Sequence, residues 1–172
     1  MKDNNKVLMK NIEIKSTDGK GCFSGFASVF NIVDDHNDAI LSGAFLKTIS
    51  DNSEIKLLWQ HDHTQPIGLI RSMRESENGL YIEGELLLDV AKAQEAYALI
   101  KNNVVNSLSI GYEVLDYYYE DGVRFIKELR LWEVSVVTFP ANRSAQILHV
   151  KSDSEEALNN SLARAIEVLE LE

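Results

Sequence analysis

Three stretches of the chain carry the side chains that nucleophilic hydrolysis needs. Ser107, Ser109 and Gly111 alternate with apolar residues, so in a strand of period two they share one face. His61 ends an apolar run, and Glu133 interrupts a run made otherwise of Leu, Trp and Val. A serine hydroxyl is a weak nucleophile until a base takes its proton, and the base needs a third group to hold its ring. The pattern therefore predicts a serine, histidine and carboxylate site.

Each of these residues also has an ordinary structural interpretation. The serine-bearing strand face could simply be solvated, and His61 could be a core histidine with satisfied hydrogen bonds. Glu133, if buried, needs a partner, which could be a lysine or an arginine. The sequence does not show whether the three side chains meet in space.

Three serines compete for the role of nucleophile. Ser107 faces the same way as Ser109 but lies one strand repeat, roughly 7 Å, from it. Ser135 shares a strand and a face with Glu133, so a histidine bridging those two would leave the Ser109 strand without a role. Gly111 follows Ser109 closely and leaves open space on its face, which favours Ser109.

A metal site is the chemical alternative. His61 and His63 alternate and could grip one ion, with Glu133 or Asp34 as a third ligand. This predicts a metal-dependent hydrolase, although no ligand motif of known spacing accompanies the pair. The acidic loop at 31–38 lacks the spacing of a calcium loop, and a loop tied by Asx turns is its default interpretation.

Composition limits the class of protein and its partners. The chain has 172 residues, enough for one domain with a real core, and a formal net charge of -10, which disfavours nucleic acid and anionic membranes as partners. Its single cysteine, Cys22, excludes an internal disulfide, fits a reducing cytoplasm and is expected to be a small buried hydrophobe. We expect no signal peptide and no membrane-spanning segment.

The order of elements predicts an α+β fold, a mainly antiparallel, closed or nearly closed β-barrel flanked by helices. A regular alternation of strand and helix is absent, which argues against a doubly wound parallel sheet. We expect a polar lead-in at 1–10, one domain at 11–151 and a C-terminal amphipathic helix at 152–172. The expected strands are 11–15, 22–30, 55–60, 67–73, 80–88, 104–119, 123–130, 131–139 and 146–150, with helices at 43–50 and from Asp89.

An ordered set of short motifs resembles the prohead maturation proteases of tailed phages, over roughly residues 12 to 151. These enzymes look related to the herpesvirus assembly proteases, serine proteases on a β-barrel surrounded by helices. The motifs are Gly25-Phe26-Ala27-Ser28-Val29-Phe30-Asn31, Asp34 with Asp38, Gly43-Ala44-Phe45, Leu58-Trp59-Gln60-His61-Asp62, Pro66-Ile67-Gly68, Gly79-Leu80, Leu108-Ser109-Ile110-Gly111-Tyr112, Glu133-Val134-Ser135-Val136-Val137 and Pro140-Ala141-Asn142.

The resemblance implies roles for individual residues. His61 would be the base, Ser109 the nucleophile and Glu133 the third member, at the position where the herpesvirus enzymes carry a second histidine. Asn142 and Arg143 would lie at the oxyanion and substrate site. No cofactor would be needed.

The resemblance also implies a setting. The substrates would be the scaffold, or a scaffolding segment of the major capsid protein, and the protease itself, cleaved inside the immature prohead in the bacterial cytoplasm. Because the herpesvirus enzymes are activated by dimerisation, a homodimer is a further expectation. The remaining alternative is a non-catalytic capsid-assembly domain that keeps the fold.

Overall fold

A computed structural model describes residues 20–51 and 54–150. The predicted strand at 11–15, the polar lead-in at 1–10 and the C-terminal helix at 152–172 lie outside these residues. The elements, in chain order, are β1 Cys22–Val29, β2 Asp38–Ile40, α1 Leu46–Ser50, β3 Lys56–Trp59, β4 Asp62–Glu75, β5 Gly79–Leu86, α2 Ala91–Lys101, β6 Ser107–Glu120, β7 Val123–Val137 and β8 Ile147–Val150.

The described strands form one eight-stranded sheet with β7 at its branch point. The order is β2-β7-β3-β4-β5-β1-β8, and β6 pairs with β7 as well. This order is an open path, so the predicted closed or nearly closed barrel is not confirmed. An isolated bridge between Ser107 and Gln146 joins the start of β6 to the residues before β8.

The sheet of the described residues is mainly antiparallel, as predicted, with two parallel pairings that both involve β7. β7 pairs in parallel with β2 over its first residues and with β3 over its last, while its other edge pairs antiparallel with β6. The β6–β7 hairpin turns at Asp121 and Gly122, whose φ angles of 50° and 82° suit a tight hairpin turn. This turn lies in the gap between the expected strands 104–119 and 123–130, but β7 is one continuous strand, Val123–Val137, where two were expected.

A β-bulge in β7 decides which residues face the core. Gly111 pairs with Glu133 and Tyr112 with Leu131, which leaves Trp132 without a partner and 55% exposed. Leu131 and Val134 both belong to the core although they are three residues apart, so the bulge switches the alternation. Strict alternation along the expected strand 131–139 would place Trp132 on the same face as Val134, and the bulge makes that expectation wrong at this point.

The helices cover the core, and α1 also contacts β7. Helix α2 corresponds to the helix expected from Asp89, and its buried residues include Ala93, Ala96 and Ile100, which lie at helical spacing. The buried Thr48 of α1 donates its hydroxyl to Leu129 O (3.2 Å) and accepts from Leu131 N–H (3.1 Å) beside the bulge. Helix α1 is shorter than predicted, and neither described helix is long and apolar enough to span a bilayer.

Strand β4 begins at Asp62, before the expected start at 67, and therefore includes Pro66. Pro66 lies where the β3–β4 register shifts, a position where a strand tolerates a missing N–H. Strands β4 and β5, which correspond to the expected strands 67–73 and 80–88, form an antiparallel hairpin. Cys22 is buried, as expected.

Candidate active site

The parallel pairing of β3 with β7 brings His61 beside Glu133. The register runs from Lys56 opposite Glu133 to Trp59 opposite Val136, and His61 follows β3 by two residues. Gln60 and His61 both adopt left-handed backbone conformations, with φ angles of 53° and 59°, which are uncommon for residues other than glycine. Such a turn persists only where its surroundings hold it.

Several hydrogen bonds hold this turn. Gln60 N–H donates to Val136 O (3.0 Å), and the Gln60 side chain exchanges hydrogen bonds with Thr138. His61 N–H donates to the hydroxyl of Ser135 at 3.1 Å. The sequence places the imidazole at the end of β3, but it is strand β7 that sets its direction.

Strand β6 brings Ser109 to the other side of β7. Ser109 pairs with Ser135, and Gly111 with Glu133, so β7 lies between the strand that carries the serine and the turn that carries the histidine. Ser109 is 8% exposed. Both Ser109 and His61 line one cavity of about 470 Å³. The two residues predicted from separate stretches are thus brought to a common space.

The histidine and the carboxylate are in direct contact. His61 Nδ1 lies 2.6 Å from Glu133 Oε1, with the imidazole about half exposed and Glu133 buried. The hydrogen bond to Glu133 raises the pKa of His61, against a smaller opposing effect of burial. Because an ionised carboxylate only accepts, Nδ1 carries the proton, which leaves Nε2 free to accept one from a hydroxyl.

A glycine makes room for this contact. A Cβ at Gly111 would lie 2.4 Å from Glu133 Oε1, the oxygen that meets His61. From the sequence we expected the missing side chain of Gly111 to leave open space beside Ser109. In the structure the atom nearest to that space belongs to the Glu133 carboxylate. The sequence could not identify the side chain that occupies this space, because the register between β6 and β7 determines it.

The two residues expected at the oxyanion site are placed differently. Asn142 lines the cavity, and its side-chain N–H donates to Val29 O at 2.9 Å. Arg143 is 81% exposed and pairs with Asp35, a residue of the cavity wall, at 3.2 Å. Their oxyanion role stays a prediction.

The residues proposed for a metal do not converge. Within 20–51 and 54–150, no three His, Cys, Asp or Glu side chains are grouped so as to hold an ion. His63 is exposed in β4, and Asp34 Oδ1 accepts the N–H groups of His36 and Asp38, as an Asx-turn loop does.

A second buried carboxylate lies in the cavity wall. The Asp38 carboxylate accepts hydrogen bonds from Nε (2.8 Å) and an Nη (2.6 Å) of Arg124, and the hydroxyl of Tyr112 donates a third hydrogen bond to it at 3.1 Å. Burial and the charge of Asp38 raise the pKa of Tyr112. Sequence reasoning named Asp38 only within a motif and missed Arg124, because no local signal links two residues 86 positions apart.

Comparison with known proteins decides the family. The sequence model described as caudovirus prohead serine protease matches residues 9–160. The chain belongs to this family. Among curated members, the prohead protease of Enterobacteria phage HK97 is 38% identical over 147 residues, which are 81% of this chain and 65% of the relative. The prohead protease of Escherichia phage T5 is 32% identical over 151 residues, 85% of this chain and 70% of that one.

These prohead proteases are longer than the present chain, which spans about two thirds of their length. A third relative, the capsid polyprotein of Pseudomonas phage PAJU2, is 34% identical over 113 residues, 59% of this chain but only 16% of the polyprotein.

Solved structures of other proteins show a similar fold. The bacteriophage T4 capsid assembly protease has a TM-score of 0.58 at 15% identity, over 69% of this chain and 82% of that one. The KSHV protease, solved with a hexapeptide phosphonate inhibitor, has a TM-score of 0.52 at 13% identity, over 80% and 68%. The herpesvirus-protease-like fold expected from the resemblance is confirmed.

Proposed function

We propose that the chain is a serine endopeptidase of phage prohead maturation. The observation that carries this is the shared cavity of Ser109 and His61, with His61 Nδ1 2.6 Å from Glu133. Membership of the prohead serine protease family and two relatives named prohead protease support the same reaction.

In the proposed reaction, His61 Nε2 takes the proton of Ser109 as its Oγ attacks the scissile carbonyl. Glu133 holds the imidazole in the reactive tautomer and stabilises the imidazolium that forms. The same imidazolium then gives its proton to the leaving amine, and a water molecule activated by His61 hydrolyses the acyl-enzyme. The raised pKa of His61 suits this exchange, since the base holds its proton more firmly once taken.

The oxyanion is proposed to be held beside the loop at 140–143, where backbone N–H groups contribute about 3 kcal/mol each in such sites. Asn142 ties this loop to Val29 and lines the cavity. Arg143 would have to leave Asp35 to reach the oxyanion. Because that ion pair is exposed, its loss costs roughly 0–1 kcal/mol.

The proposed substrates are the scaffold, or a scaffolding segment of the major capsid protein, and the protease itself. The relative named capsid polyprotein supports a substrate within the capsid. The proposed setting is the immature prohead in the bacterial host cytoplasm, with a homodimer as the expected assembly. The net charge of -10 makes nucleic acid an unfavourable partner.

Active-site labelling tests the proposal. A fluorophosphonate should label the purified chain once, with the adduct on Ser109 by peptide mapping, and labelling and self-cleavage should disappear in Ser109→Ala while the fold is retained. Ser107→Ala is the matched control, because its serine lies on the same strand and should keep the activity. A chelator should have no effect.

Three outcomes would contradict the proposal. An adduct on Ser107 or Ser135 would overturn the choice of nucleophile. Loss of cleavage on chelation would favour the metal-dependent hydrolase with His61 and His63. A folded chain that neither labels nor cleaves would favour the non-catalytic capsid-assembly domain.

A further inference from the structure

Ser135 connects the two partners of the proposed nucleophile. Its side chain is fully buried on β7, two residues after Glu133. The hydroxyl donates to Glu133 Oε2 at 2.7 Å and accepts the backbone N–H of His61 at 3.1 Å. One oxygen atom therefore contacts both the carboxylate and the turn that carries the imidazole.

Both contacts restrain groups that have other conformations available. Glu133 contacts His61 through Oε1, so the bond from Ser135 to the other oxygen, Oε2, opposes rotation of the carboxylate about its last torsion. His61 has a φ of 59°, a conformation that side-chain-bearing residues rarely adopt without support. The hydroxyl of Ser135 accepts from the backbone N–H of that residue.

We propose that Ser135 is a positioning residue, which holds the Glu133 carboxylate and the His61 backbone in the arrangement that general-base catalysis requires. Its catalytic consequence rests on the proposed function, but the arrangement itself can be observed without turnover. A buried serine that only filled space would leave the imidazole contact unchanged when its oxygen is removed.

The test uses Ser135→Ala, with Ser107→Ala as the matched control. Ser107 is also a buried strand serine, but its hydroxyl contacts Asn106 at 3.3 Å rather than the histidine or the carboxylate. Steady-state kinetics, with peptide substrates selected from a proteome-derived library, gives kcat and KM. Loss of a hydrogen bond to a charged group predicts a kcat roughly 10- to 100-fold lower in Ser135→Ala, with KM unchanged, and wild-type values in Ser107→Ala.

Proton NMR of histidine-labelled protein reads the arrangement directly. In a Ser109→Ala background, the Nδ1 proton of His61, assigned through its loss in His61→Gln, should resonate far downfield. We expect Ser135→Ala to move it upfield and speed its exchange with water, and Ser135→Thr, which restores a hydroxyl, to reverse both changes. If threonine does not fit, Ser135→Cys, a similar volume with a weak donor, should behave like alanine.

The outcomes separate this inference from the proposed function. A wild-type chain that neither labels nor cleaves refutes the proposed function, while the NMR comparison still tests Ser135. Labelling on Ser109 together with wild-type kcat and an unmoved Nδ1 proton in Ser135→Ala refutes the positioning role. Loss of kcat only in proportion to a loss of folded protein refutes it as well.

Discussion

Two buried carboxylates on neighbouring strands differ in the basic residue that binds each of them. Asp38 on β2 is 4% exposed and is bound by the two-pronged guanidinium of Arg124 and by the hydroxyl of Tyr112. Glu133 on β7 is 5% exposed and is bound by the half-exposed imidazole of His61 and by the hydroxyl of Ser135. Each has one basic partner and one hydroxyl donor, which makes the difference between the basic partners informative.

The difference lies in whether the basic partner can exchange a proton. The hydrogen bonds to Asp38 raise the pKa of Arg124 further above its already high value, so the guanidinium stays charged and does not exchange a proton. The pKa of His61 is also raised, but its ordinary value lies near neutrality, so the imidazole can take up and release a proton, which a guanidinium cannot. The first pair is suited to holding strands together and the second to proton transfer.

The substitution Glu133→Gln should give the largest effect in this comparison, a fall in kcat. The amide can still accept from Nδ1, but it carries no charge to stabilise the imidazolium, so we expect kcat to fall on the order of 10³- to 10⁴-fold. Steady-state kinetics beside thermal unfolding checks this. If the rate follows the folded fraction and nothing more, Glu133 is merely structural.

Asp38→Asn should have the converse effect. Breaking a buried ion pair costs roughly 3–5 kcal/mol, and we expect about 2 to 3 kcal/mol of unfolding free energy here because Arg124 stays one-third exposed to water. The kcat per folded molecule should change little. A loss of kcat comparable to that of Glu133→Gln, at unchanged stability, would contradict a purely structural role for Asp38.

Gly111→Ala should loosen the Glu133 pair without touching the Asp38 pair. The added Cβ would lie 2.4 Å from Glu133 Oε1, so the carboxylate must move away from His61. We expect kcat to fall roughly 10- to 100-fold and unfolding free energy by about 1–2 kcal/mol. Steady-state kinetics measures kcat, and denaturant unfolding measures the unfolding free energy. A wild-type kcat would contradict the prediction, because it would show that the carboxylate accommodates the added methyl group without losing its contact with His61.

The smallest expected effect is a pH dependence of stability. The pKa of His61 is raised on folding. Its contribution to the free energy of unfolding is therefore fully present below the unfolded-state pKa of about 6.5 and is lost as the pH rises through the folded-state pKa. The exposure of the ring makes this contribution small. The dependence should vanish in Glu133→Gln and persist in Asp38→Asn, by thermal midpoints measured across this range. Equal pH profiles for both variants would contradict it.

The sequence predicted much of the fold because its signals are local. Turn residues at Asp121 and Gly122, the burial of Ala93 and Ala96 in a helix, and the alternation along β6 depend on near neighbours in the chain. The errors arose where distant parts intervene. The bulge at Trp132 is braced by Thr48 of α1, and Pro66 is accepted within β4 because the register with β3 shifts there.

The same division holds for the candidate site. The sequence by itself determined that a serine, a histidine and a carboxylate lie in three strand-like stretches, because side-chain chemistry and strand period can be read locally. Only the tertiary structure decided that His61 and Glu133, 72 positions apart, touch, and that Arg124 belongs to Asp38. Both contacts depend on parallel pairing with β7, and parallel partners are chosen by the packing of the whole sheet rather than by any turn between them.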